Sequence, residues 1–222
     1  MDVGEIAASL ESSDPQVRLR ALSALRQHDP AVALPVLLAQ VDDTEFMVRS
    51  FVAMGLRRSQ TAESFAALLK MMQFDRDPNV RAEAANSLST FGTAAIEHLV
   101  AAFRRDDNWL VRRSIMAPLY EMQSVKAVFE ICAIGLEGED MTVLEVAIDG
   151  LALLANTEKQ AAALEKLFPL VSDDSWRIRQ RVARALLNFD NPQARAAVSY
   201  LAKDRDSRVV GATMPSLGVT SE

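Results

Sequence analysis

Cysteine is almost missing from this sequence: Cys132 is the only one in 222 residues. A single thiol excludes an intrachain disulfide framework, and it cannot by itself build a Cys-rich zinc or iron–sulfur site. Histidine is equally scarce. His28 and His98 stand alone, and neither an HExxH pair nor a Cys/His spacing for metal occurs, so no metal site is expected. Neither GxGxxG nor GxxxxGKS/T is present, which leaves no cradle for a nucleotide phosphate. An excess of basic charge is also lacking. The 24 Lys and Arg face 30 Asp and Glu, a net charge of −6, the reverse of the balance usual in a duplex nucleic-acid binder. No apolar run is long enough to span a bilayer, and the acidic start does not read as a signal peptide. The expectation is a soluble chain in a reducing compartment.

Glycine and proline number only 8 each, whereas Ala (34) and Leu (26) fill 60 positions. Strong helix formers therefore dominate, and the fold expected is all-α. With 50% apolar and 24% charged residues the chain can bury a core and is not disordered.

The main signal is a repeat. An Asp followed within a few residues by Val-Arg, or a close relative, recurs with its core residue at Val17, Val48, Val80, Val111, Val143, Ile178 and Val209, spaced by 31, 32, 31, 32, 35 and 31 residues. Eight residues after each comes a leucine: Leu25, Leu56, Leu88, Leu119, Leu151, Leu186 and Leu217. A small residue or proline precedes every leucine: Ala24, Gly55, Ser87, Pro118, Gly150, Ala185 and Ser216. Offsets 0, +4, +7 and +8 share one helix face, so each phrase opens a helix with a buried stripe, and the small residue lets a neighbour approach. Asp14-Pro15 and Asp77-Pro78 read as caps with proline early in the helix; Asp43, Asp107, Asp140, Asp174 and Asp206 mark the other starts.

A second apolar segment precedes each phrase, as at 31–41, 62–72, 94–103, 125–136, 161–171 and 193–201. The unit is a helix pair of about 30 residues, and stacking pairs hides the faces that one pair leaves bare, giving a right-handed α-solenoid. One domain over 1–222 is expected, with units near 1–28, 29–59, 60–91, 92–122, 123–156, 157–189 and 190–217, a frayed tail 218–222, and a longer loop near 155–160.

The phrases Asp14-Pro15-Gln16-Val17-Arg18 and Asp77-Pro78-Asn79-Val80-Arg81, followed by small residues and Leu, resemble HEAT repeats of the short "PBS lyase HEAT-like" type. The stretches 108–115, around Trp109, and 175–183, around Trp176, are similar to cyanobacterial members. These are the E/F-type phycobilin lyases, the phycobilisome-degradation protein NblB and the IscA-interacting HEAT protein IaiH. The resemblance implies a cytoplasmic protein of cyanobacterial phycobilisome biology, whose partner is a phycobiliprotein subunit or an iron–sulfur assembly protein. It also implies phycocyanobilin or a related linear tetrapyrrole as a ligand. E/F lyases act as paired subunits, so this chain would be one half.

Offsets +2, +6 and +9 of each second helix point away from the core stripe. They hold Met54, Arg57, Asn86, Arg113, Tyr120, Asp149 and Arg184, with Leu19, Ala82, Ser89, Ala117 and Glu145 among them. Arginines for propionates, apolar walls from Met54 and Tyr120, and Asp149 for pyrrole N–H groups suit a flat anionic ligand. The same composition suits an acidic protein helix, or ordinary solvated surface. For catalysis the candidates are Tyr120, Asp149 and Glu145. The arginines one place after the core residue, Arg18, Arg49, Arg81, Arg112 and Arg179, read as a structural ladder to adjacent turns, interrupted by Leu144 and Val210. Trp109 and Trp176 read as turn packing, Cys132 as a buried small hydrophobe, and Pro118 and Pro215 as helix kinks.

Overall fold

The structure is a computed structural model and describes residues 1–214. Leu217, Ser216, Pro215 and the tail 218–222 lie outside the described residues. Fourteen α-helices and two short 3-10 helices occur among the described residues, and no strand. They fall into two compact units, Met1–Met122 and Gln123–Glu222. In the first unit, first and second helices alternate as α1 (Val3–Leu10) and α2 (Pro15–Leu25), α3 (Pro30–Leu38) and α4 (Phe46–Leu56), α5 (Ala62–Phe74) and α6 (Pro78–Ser89), α7 (Ile96–Arg105) and α8 (Trp109–Glu121). The second unit holds α9 (Val125–Glu137) and α10 (Met141–Ala152), α11 (Gln160–Leu167) and α12 (Trp176–Leu186), α13 (Pro192–Leu201) and α14 (Ser207–Ala212).

Every second helix has its N-cap three residues before the core position. Asp14, Asp77, Asn108, Asp140 and Asp206 accept a backbone N–H of the first turn at 2.8, 2.8, 2.9, 3.0 and 2.9 Å. Three expected helix starts are corrected: Asp43, Asp107 and Asp174 do not cap, and the N-cap residues there are Glu45, Asn108 and Ser175. Asp43 lies two residues too early. It accepts from Glu45 N at 2.8 Å instead, which orders the turn.

Four of the second helices, α4, α6, α8 and α10, are followed by a residue of left-handed backbone. Gln60, Gly92 and Gln123, each four places after the core leucine, have φ of 49°, 64° and 54°. Asn156 (φ 61°) falls one place later, in the longer loop expected near 155–160. Two first-helix regions are interrupted. A 3-10 turn at Gly92–Ala95 precedes α7, and α11 gives way at Leu167 to the 3-10 segment Phe168–Ser172, where Pro169 supplies no N–H. Pro118 stays within an unbroken α8, and its carbonyl accepts Met122 N at 3.0 Å.

The repeat stripe is the core. Val48, Val80, Val111, Val143, Ile178 and Val209 are at most 1% exposed, as are Leu25, Leu56, Leu88, Leu119, Leu151 and Leu186. Val17, in the first copy, is only half-buried. The small +7 position has a direct cause at Gly55, where a Cβ would stand 2.8 Å from Leu37 Cδ2, so the glycine admits α3 onto α4. In the first unit α2, α4, α6 and α8 pack extensively side by side, whereas α3, α5 and α7 touch only slightly. The second helices therefore line the inner side of that unit's bend. α10, α12 and α14 form the corresponding row in the second unit.

Candidate functional site

The arginine after each core residue builds the frame. Arg49 holds Asp75 through two hydrogen bonds, Nε to Oδ2 at 2.7 Å and Nη2 to Oδ1 at 2.8 Å. Its Nη1 donates to the carbonyls of Asp43 and Thr44 in its own turn. Arg18–Asp43, Arg81–Asp106 and Arg179–Asp204 repeat the arrangement, with Nε–Oδ2 distances of 2.7, 2.6 and 2.7 Å. Each Asp also accepts the backbone N–H two residues on, at Glu45, Asp77, Asn108 and Asp206. Burial is the largest single influence on the Asp43 and Asp75 carboxyls and pushes them up, but the arginine bond, the backbone N–H bond and the nearby arginine charges together outweigh it and hold both below the usual value. At Asp204 the Arg179 bond is the largest influence and lowers it likewise. Arg112 departs from the pattern: 26 residues on stands Gly138, and Arg112 turns back onto Asp106 O (2.7 Å) and Asp107 (3.1 Å). The ladder is structural, as expected, and these arginines are not available to a ligand.

The opposite edge of the second helices faces solvent. In the first unit Met54, Arg57 and Tyr120 are half-buried, and Asn86 and Arg113 exposed. Leu19 and Ala82, expected on this surface, are buried instead, because close packing of the second helices closes the +2 side there. The exposed band is centred on +6 and takes in +3, a position the offsets missed. Arg20 and Glu83 occupy it. Glu83 accepts from Ser87 Oγ at 3.2 Å, and burial raises its pKa despite nearby Arg57. At the helix starts Phe46, Met47 and Trp109 are 39%, 46% and 44% exposed, more than turn packing requires.

In the second unit Glu145 and Asp149 lie on α10 and Arg184 on α12. Arg181, again at +3, joins the two carboxylates: Nη2 donates to Glu145 at 2.8 Å and Nη1 to Asp149. Burial raises the Asp149 pKa, with Arg181 opposing and Glu145 reinforcing it. The carboxylate expected to receive pyrrole N–H groups is thus already engaged. Two acids four residues apart on one face call for a cation, and that was the signal for Arg181 in the sequence. Trp176 packs under the Arg208 guanidinium, 3.3 Å from the ring centre, which accords with turn packing. Cys132 is buried, and no cluster of metal-ligating residues occurs among the described residues. No helix among them is long and apolar enough to cross a membrane.

A family model for HEAT repeats matches residues 5–73, 39–117 and 131–218. No curated protein matches the chain. Among solved structures, YibA of Escherichia coli superposes with a TM-score of 0.66 at 14% identity, covering 96% of this chain and 80% of that one. The complex of CpcE and CpcF of phycocyanin lyase from Nostoc sp. PCC7120 gives 0.54 at 18% identity, covering 96% and 85%. A designed armadillo repeat protein in complex with a (KR)4 peptide gives 0.52 at 17%, covering 86% and 100%. At such identities the likeness speaks for the fold alone. With the recurring capped second helices, their buried Val and Leu stripe and a family match over most of its length, the chain belongs to the HEAT-repeat family and is an α-solenoid.

Proposed function

We propose that this chain is a protein-binding scaffold whose partner is a phycobiliprotein subunit, held on the exposed face of the second helices. One observation carries the binding role: the two edges of these helices do different work. The buried edge and the arginine ladder build the stack. The other edge of the first unit presents Phe46, Met47, Met54 and Trp109 with Arg57 and Arg113, and neither arginine forms an ion pair among the described residues. Aromatic residues, Met and Arg gathered on a surface are the composition of an interface core. The choice of a phycobiliprotein as the partner class rests on the sequence resemblance around Trp109 and Trp176, with which the similar fold of the phycocyanin lyase complex is in keeping.

The test mixes the purified chain with phycocyanin α and β subunits, and separately with phycocyanobilin, following co-elution and visible absorbance. Co-elution with an unchanged bilin spectrum is the expected result. A red-shifted bilin band, or loss of bilin from the subunit, would replace the scaffold with a lyase or detachment activity and direct mutagenesis to Tyr120, Glu145 and Asp149. Absence of co-elution would refute the phycobiliprotein assignment, leaving an iron–sulfur assembly protein as the next bait.

A further inference from the structure

The exposed face of the first unit has an ordered charge pattern. Read across α2, α4, α6 and α8, the +6 row is Ser23, Met54, Asn86 and Ala117, without a charge. Arginines stand on both sides of it: Arg20 and Arg113 toward the helix starts, Arg26 and Arg57 toward the helix ends. None of the four forms an ion pair among the described residues, and the acids near them on the second helices are Glu83 and, at the end of α8, the exposed Glu121. The Glu83 carboxyl is bonded to Ser87 and lies near Arg57. This concentration of free cations belongs to a chain of net charge −6, because its acids sit mainly in turns and caps.

Resting on the scaffold reading, we infer that this uncharged row flanked by arginines is the docking site of an acidic amphipathic helix of the partner. The match is geometric as well as electrostatic. An amphipathic helix carries acids on both flanks of its apolar stripe, whereas a strand alternates its side chains between two faces. Four side-by-side helices about 9 Å apart give a row of about 27 Å. A helix rising 1.5 Å per residue fills it with about 18–20 residues. Charge complementarity of this kind raises the association rate and selects against basic partners.

The experiment measures fluorescence anisotropy of a labelled 20-residue helical peptide with a Leu/Trp stripe flanked by Glu. The same peptide with Lys for Glu and a 20-nucleotide oligo(dT) serve as competitors for the assignment. The Glu peptide is expected to bind, weakening at least several-fold between 50 and 300 mM salt. Arg57→Glu/Arg113→Glu should weaken it at least tenfold with an unchanged melting curve, while Lys70→Glu on α5 leaves it intact. Equal binding by the double variant, preference for the Lys peptide or the oligonucleotide, or no binding of the Glu peptide would each overturn the inference. The two proposals fail separately. Phycocyanin binding that survives Arg57→Glu/Arg113→Glu retains the scaffold and removes this face; Glu-peptide binding without phycocyanin binding retains the face and removes the partner class.

Discussion

The arginine ladder supports a quantitative test at Arg49–Asp75. Both side chains are nearly inaccessible, 4% and 7% exposed, and they share two short hydrogen bonds. Asp75→Ala leaves the Arg49 guanidinium buried with only the carbonyls of Asp43 and Thr44. It also strips Asp77 N of its acceptor. Breaking a buried pair from one side costs about 3–5 kcal/mol. For a chain of this size a loss of 1 kcal/mol lowers Tm by about 2–4 °C. The expected drop is then about 6–20 °C, read by circular dichroism. Hydrogen exchange should show loss of protection in α4 and α6, since a repeat protein can open locally. Arg49→Met/Asp75→Leu should cost less than the sum of the single changes, because neither charge is left stranded. Lys70–Asp42, at 3.8 Å with side chains 65% and 84% exposed, provides the contrast. Asp42→Ala should stay within about 0.5 kcal/mol of the parent. Equal effects of Asp75→Ala and Asp42→Ala on Tm would refute the reasoning that burial gives the ladder its strength.

Leu88→Ala should cost about 2–5 kcal/mol, since Leu88 is fully buried; an unchanged denaturation midpoint would remove it from the core. Gly55→Ala sets a helix-propensity gain of about 1 kcal/mol against overpacking of about 1–3 kcal/mol on Leu37. A net loss is expected, smaller in a Leu37→Val background, and thermal melts of the three variants decide it. Stability should also respond to acid in two directions. Asp43, Asp75 and Asp204 have lowered pKa values in the fold, so their contribution is complete above the ordinary value of 3.8 and is lost as pH falls through the lowered ones. Glu83 and Asp149 are raised by burial, so their protonation on mild acidification favours the fold. A melting temperature that falls steadily from neutrality, with no plateau or rise before the drop below about pH 4, would contradict this balance.

The stacking frame was legible in the sequence because it is periodic. Core positions, small neighbours and pair lengths follow from offsets repeated seven times, and the structural role of the arginines from the five copies that carry one. Capping at Asp43 is not legible from the acid alone: it lies two residues before the N-cap Glu45, whose side chain makes no cap bond, and it reaches Glu45 N rather than the first turn. The exposed band was harder to read. Offsets describe one helix, whereas exposure also depends on the next. Ala82 is therefore buried, Glu83 and Arg181 face the band, and Trp109 stays open while Trp176 lies under Arg208.

Each joint of the ladder has a direction. A repeat offers its arginine to the copy that follows and its turn aspartate to the copy before, and that same aspartate orders the turn into its own second helix. A copy bearing both halves fits between any two others that bear them, provided the chain runs the same way. Tandem duplication of such a segment would lengthen the protein without orphaning a buried charge, whereas a copy lacking either half would leave a seam. The rule lets sequence drift on the exposed band while the spacing of Arg and Asp, 25 or 26 residues, is kept.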